Sequence, residues 1–158
     1  MKLPKTIQLD VSDSLAFHHA AESGEWAVTG TFSFADMEVE GVDNKQQLAF
    51  RNGWLGTTSF GRSTLVQVTS IDEAEFEQVV RDLAAHLHSV YGAPDMIVAL
   101  DAARLEVTDA VGLCDHPPGT LLSIERELSE DGISERINVI TEAEPESHAR
   151  IWAIDPDG

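Results

Sequence analysis

The sequence predicts one α+β domain over residues 1–158: a mainly antiparallel sheet of about five or six strands with two consecutive helices, about 72–91 and 94–115, packed on one face. Three features predict it. A clear amphipathic stripe runs through residues 72–91, a second helical period follows almost at once, and short alternating segments flank the pair on both sides. In the first helix Phe76, Val79, Val80, Leu83, Leu87 and Val90 recur at three-and-four spacing, opposite Glu77, Gln78, Arg81 and Asp82. Asp72 followed by Glu75 reads as an N-cap with a capping-box partner, and Gly92 and Pro94 stop the helix. In the second helix Met96, Ile97, Leu100, Ala103, Val107, Ala110, Val111 and Cys114 share the helical period. The break at Tyr91-Gly92-Ala93 is short, which makes the two helices antiparallel neighbours.

The strands are read in chain order. Residues 6–11 alternate, with Ile7, Leu9 and Val11 on one face, and predict a first strand. Residues 13–24 show no firm period and read as a loop. Residues 26–34 alternate best of all, with Trp26, Val28, Phe32 and Phe34 on one side; Gly30 interrupts that face and marks a bulge or a close neighbour. Residues 44–51 read as a short helix carrying Leu48, Ala49 and Phe50 inward, closed by Asn52-Gly53. Residues 63–69 form the next strand. Beyond the helical pair, His116-Pro117-Pro118-Gly119 is a rigid exit into a hairpin over residues 120–141. With Ser129-Glu130-Asp131-Gly132 as its loop, Leu128 faces Ile133, Arg126 faces Glu135, Glu125 faces Arg136, Ile124 faces Ile137, Leu122 faces Val139 and Leu121 faces Ile140. A one-residue slip loses both charge pairs and turns the apolar set to the wrong face. Residues 148–154 alternate as a last strand, and 155–158 form a frayed acidic end.

Acidic residues outnumber basic ones 28 to 10, for a formal net charge of -18. Such a field repels phosphate backbones and anionic headgroups, which argues against nucleic acid and membranes and allows docking on a basic protein partner. Cys114 is the only cysteine, so no internal disulfide forms. Gln8, Asp10, Ser12, Asp13 and Ser14 interrupt the N-terminal apolar run, so no signal segment is expected, and no stretch approaches a membrane span. The expected compartment is the cytoplasm; oligomeric state is open.

The stretch over residues 53–62 is the leading candidate site. Three glycines permit close backbone approach, Trp54 and Phe60 offer stacking surfaces, and Arg62 can pair with a carboxylate or phosphate. It lacks the lysine of a P-loop and leads into a strand where a dinucleotide turn opens a helix, so it is no nucleotide fingerprint. The competing reading is a tight turn pinned to the core by the two aromatics. Cys114-Asp115-His116 has no second ligand pair and a cysteine on the apolar stripe, so no metal site is expected there. The pairs His18-His19 and His86/His88 lack the i, i+4 geometry of a helical metal site, and no window fits a calcium loop. No catalytic residue and no cofactor are predicted.

The segments Lys2-Leu3-Pro4-Lys5-Thr6-Ile7, Phe32-Ser33-Phe34-Ala35-Asp36, Phe50-Arg51-Asn52-Gly53-Trp54-Leu55-Gly56 with Ser59-Phe60-Gly61, and His116-Pro117-Pro118-Gly119-Thr120-Leu121-Leu122 resemble an uncharacterised family of small acidic cytoplasmic proteins, found mainly in alphaproteobacteria. The resemblance covers nearly the whole chain and implies a single-domain protein of unknown function, with no catalytic residues to carry over. Two functions are therefore expected as alternatives. One is a non-enzymatic accessory or interaction module with an acidic docking surface; the other is a small-molecule binder or enzyme whose pocket adjoins Trp54, Phe60 and Arg62.

Overall fold

The computed structural model describes residues 1–8, 16–35, 42–142 and 152–155. Its elements are β1 (Lys2–Ile7), β2 (Ala27–Val28), α1 (Asn44–Asn52), β3 (Trp54–Gly56), β4 (Arg62–Ser63), β5 (Leu65–Ser70), α2 (Glu73–Val90), α3 (Met96–Gly112), β6 (Leu121–Ser129), β7 (Gly132–Glu142) and β8 (Trp152–Asp155). They form an α+β domain with a five-stranded sheet in the order β1-β5-β6-β7-β8 and a three-stranded sheet in the order β2-β3-β4, every neighbouring pair antiparallel.

The first strand lies earlier than alternation predicts. β1 pairs along its whole length with β5, from Lys2 opposite Ser70 to Ile7 opposite Leu65. Pro4 is tolerated because β1 is an edge strand, where a missing N–H need not break a ladder. Residues 9–11 of the expected strand lie outside the described residues. A bridge between Lys5 and Trp26 then links the edge of the large sheet to the small one. The long strand expected over 26–34 is cut to Ala27–Val28, followed by a 3-10 turn at Thr31–Phe34. Gly30 causes the break: its φ is 72°, and a Cβ there would lie 2.5 Å from Leu55 Cβ and 2.8 Å from Arg62 Nη1. Similarly, the strand expected over 63–69 is split into β4 and β5.

Alternation along β2 and β3 separates two cores. Ala27 and Trp54 join Val66, Val68, Leu122, Ile124 and Cys114 on one side. Val28 and Leu55 join Leu3 and the buried faces of α2 and α3 on the other. Asp72 caps α2 by accepting from Glu75 N at 2.7 Å, and Phe76, Val79, Val80, Leu83, Ala84 and Leu87 form its buried face. Val90, expected on that stripe, is 62 % exposed at the helix end. α3 starts later and ends earlier than its period suggests, with Asp95 as N-cap accepting from Val98 N at 2.9 Å. Its buried face is Ala99, Ala103, Val107 and Ala110, small residues that let α2 approach closely. Met96 and Ile97, expected in the core, face out instead.

The hairpin register is as the sequence predicts, pair for pair, from Leu128 opposite Ile133 to Leu121 opposite Ile140. Ser129 also pairs with Gly132, whose φ is 108°, so the connection is a tight turn at Glu130-Asp131. Of the last strand expected over 148–154 only 152–154 fall within the described residues, paired to β7; Asp155, expected in the frayed end, instead completes β8 opposite Val139, and 156–158 lie outside the described residues.

Candidate functional site

α1 begins with a capping box: Asp43 accepts from Gln46 N at 2.8 Å while Gln46 Oε1 accepts from Asp43 N at 2.9 Å. Its other end presents carbonyls with no helical partner. Two buried arginines supply donors there. Arg126 donates to Phe50 O at 2.8 Å, Gly53 O at 2.9 Å and, through Nη2, Thr29 O, while its Nε reaches Thr31 Oγ1 at 2.9 Å. Arg62 donates to Gly53 O at 3.2 Å, Gly30 O at 3.3 Å and the Ser33 hydroxyl. Both guanidinium groups also lie over the Phe34 ring, Arg62 at 4.4 Å and Arg126 at 5.2 Å.

The two differ in what neutralises them. Glu135 lies 3.5 Å from Arg126 Nε and also binds the Thr31 hydroxyl. Among the described residues no carboxylate pairs with Arg62, and the charge that bears on it most is that of Arg126. Burial, and then the Arg126 charge, push the Arg62 guanidinium down to about 9; burial pushes Arg126 down to about 10, against the pull of Glu135. Both stay charged at neutral pH. A buried ion without a counter-ion costs several kcal/mol, and carbonyl dipoles recover only part of that.

Arg62 is also where the interior opens. It lines a groove of about 560 Å³ together with His18, His19, Lys45, Phe60, His86 and Tyr91. The Phe60 and His86 rings stack at 3.7 Å and 4° from parallel, and Tyr91 meets His86 edge-on at 5.4 Å and Phe32 at 5.3 Å, so four rings touch in a row and Phe60, His86 and Tyr91 of them wall the groove. Desolvation against that wall lowers the His86 pKa. Among the described residues no Asp or Glu lines the groove. Asp43 is held by His18, one of the groove's lining residues, at 2.6 Å; the Gln46 N–H first, and then His18, lower its pKa.

The loop between β3 and β4 forms one side of the groove, and a buried carboxylate shapes it. Glu25, 7 % exposed, accepts from Thr58 N at 3.0 Å, Ser59 N and Ser59 Oγ at 2.7 Å, and Glu22 N at 2.6 Å. The loop's glycines serve close approach. A Cβ on Gly56 would lie 2.5 Å from Glu25 Oε1, and one on Gly61 would lie 2.5 Å from the Ala20 backbone. Phe60 takes a φ of 59°, the one non-glycine residue with positive φ among those described, and its ring is thereby held against His86.

Of the three residues singled out in the sequence, Phe60 and Arg62 meet at the groove. Trp54 does not: it is 0 % exposed in the core beneath, out of any ligand's reach. The 53–62 stretch is thus both a pinned turn and a groove wall. Sequence reasoning missed Arg126, although a signal existed. In the predicted register it follows Leu122 and Ile124 at period two, which puts a charge on the buried face. It also missed His86, Tyr91 and Lys45, which lie on other elements far along the chain. Cys114 is buried, which pushes its thiol up to about 11, and no group of three His, Cys, Asp or Glu among the described residues is placed to hold a metal.

Fold and groove together define an α+β domain with a cationic, ring-walled cleft. The chain belongs to the family of unknown function DUF6505, whose model matches residues 1–155. No curated protein and no solved structure matches it. No described helix is long and apolar enough to cross a membrane.

Proposed function

We propose that the chain is a non-enzymatic accessory protein of the cytoplasm whose groove binds a small organic anion bearing a planar ring. The observation that supports this reading is Arg62, a buried charge with no carboxylate partner among the described residues, at a groove that His18, His19, His86 and Lys45 line and that no described acid lines. A bound anion supplies a counter-charge to the buried Arg62 guanidinium, and charge-assisted hydrogen bonds are about twice as strong as neutral ones. The ring lies along the Phe60, His86 and Tyr91 wall. The groove's size falls within the roughly 300–1,000 Å³ of ordinary small-ligand sites.

Thermal unfolding with benzoate, phenyl phosphate and neutral benzamide tests this. A probe of about 1 mM affinity, present at about 10 mM, adds about 1.4 kcal/mol, a rise of ~3–5 °C in a domain this size. The two anions give the rise and benzamide does not. Lys45 is exposed on the first turn of α1, so Lys45→Glu at least halves the shift and leaves the ligand-free midpoint in place. An equal shift with benzamide, or one that survives Lys45→Glu, rules the anion site out.

A further inference from the structure

The outer side of α3 is unusually apolar for a chain this acidic. Ile97 is 74 % exposed, Leu105 67 %, Val98 45 % and Met96 41 %, while the helix's inner side is filled by alanines and Val107. Ile97, Asp101 and Leu105 follow one another at i, i+4 and i+8, with Val98 beside them, so apolar groups and a carboxylate share one row about two turns long. Val90, at the end of α2, is likewise 62 % exposed. Single exposed aliphatics are ordinary; a row of them on one helix marks a contact surface.

Charge decides what covers it. Asp95, Asp101 and Asp109 are exposed at the start of and along the same helix, and that helix's own cation, Arg104, is already held by Glu77 at 2.7 and 2.8 Å. A second copy would set these carboxylates against their own counterparts, on chains that each carry a net charge of -18. Anionic headgroups are repelled for the same reason. The complement is an apolar stripe bordered by cations. We infer that the exposed row of α3 docks an amphipathic helical segment of a protein partner, with aliphatic residues at i, i+3/i+4 and i+7 between Ile97 and Leu105 and with Lys or Arg beside Asp101.

Fluorescence anisotropy of the full chain against a labelled, helical Leu/Lys peptide, with a Leu/Glu peptide as control, tests the inference. The Leu/Lys peptide binds saturably at one to one, and the Leu/Glu peptide does not bind. The double variant Ile97→Gln/Leu105→Gln, whose helix content is checked by circular dichroism, weakens binding at least tenfold; Asp101→Lys weakens it severalfold. Binding untouched by the double variant means the peptide is merely attracted to acid elsewhere, and the inference falls. It also falls if the wild-type chain sediments as a dimer that the double variant dissolves, because a second copy then covers the row.

Discussion

Arg62 and Arg126 lie over the same phenyl ring and share the Gly53 carbonyl, yet they are differently placed. Arg126 has Glu135 beside it and donates to the end of α1, to the Thr29 carbonyl and to the Thr31 hydroxyl. Arg62 has comparable burial, fewer donors engaged and no anion among the described residues, and it opens on a groove. The difference is between a buried charge that the chain's own carboxylate and acceptors close and one that keeps only neutral acceptors, which on the proposed reading a bound anion completes.

The largest effect expected from breaking this contrast is at Arg126. Arg126→Met leaves the carbonyls of Phe50 and the end of α1 short of donors and should cost about 3–5 kcal/mol, read as a fall in the urea midpoint. Next comes the loop that carries Arg62 to the groove. Gly56→Ala drives a Cβ into the Glu25 carboxylate and should cost about 1–3 kcal/mol by the same measurement. Arg62→Met should cost less than about 1.5 kcal/mol, because Gly53 O keeps its bond to Arg126, Gly30 O keeps the Ser33 hydroxyl, and an uncompensated charge disappears. Equal losses at the two arginines would erase the distinction between them.

The smallest effect is a pH slope. Burial against the ring wall holds the folded His86 pKa below its ordinary 6.5, so the unfolded chain takes up this proton first. The stability His86 contributes is therefore present above about pH 6.5 and is lost as pH falls through the folded value. His86→Gln should flatten the dependence of the midpoint on pH between about 5 and 7. An unchanged slope would mean that the Phe60 stack leaves His86 solvated.

The parts of this molecule that could be read in advance are those governed by local period. The β6–β7 register followed from charge pairs and alternation, and α2 followed from a wide stripe capped by Asp72. The failures are equally specific. β2 is short because Gly30 has Leu55 and Arg62 pressed against it, a contact between segments about 25 and 32 residues apart that no window reveals. Ala103, Val107 and Ala110 of the predicted α3 stripe are buried, but Met96 and Ile97, read as part of it, lie on the outer side, because the first turn of the helix extends past the packed face. At the site, Phe60 and Arg62 were legible as an odd glycine-rich stretch. Trp54 in that stretch turned inward, and the partners that give the groove its character, His86, Tyr91 and Lys45, arrive from α1, the end of α2 and the turn beyond it.

The most direct test of the contrast is to watch both guanidinium groups at once. In a titration with phenyl phosphate followed by nitrogen-detected NMR, the Arg62 Nε resonance should move saturably, with the same midpoint as the thermal stabilisation, while that of Arg126 stays in place. Both resonances unmoved at saturating probe, or both moving together, would contradict the claim that the chain closes one of these charges and leaves the other for a ligand.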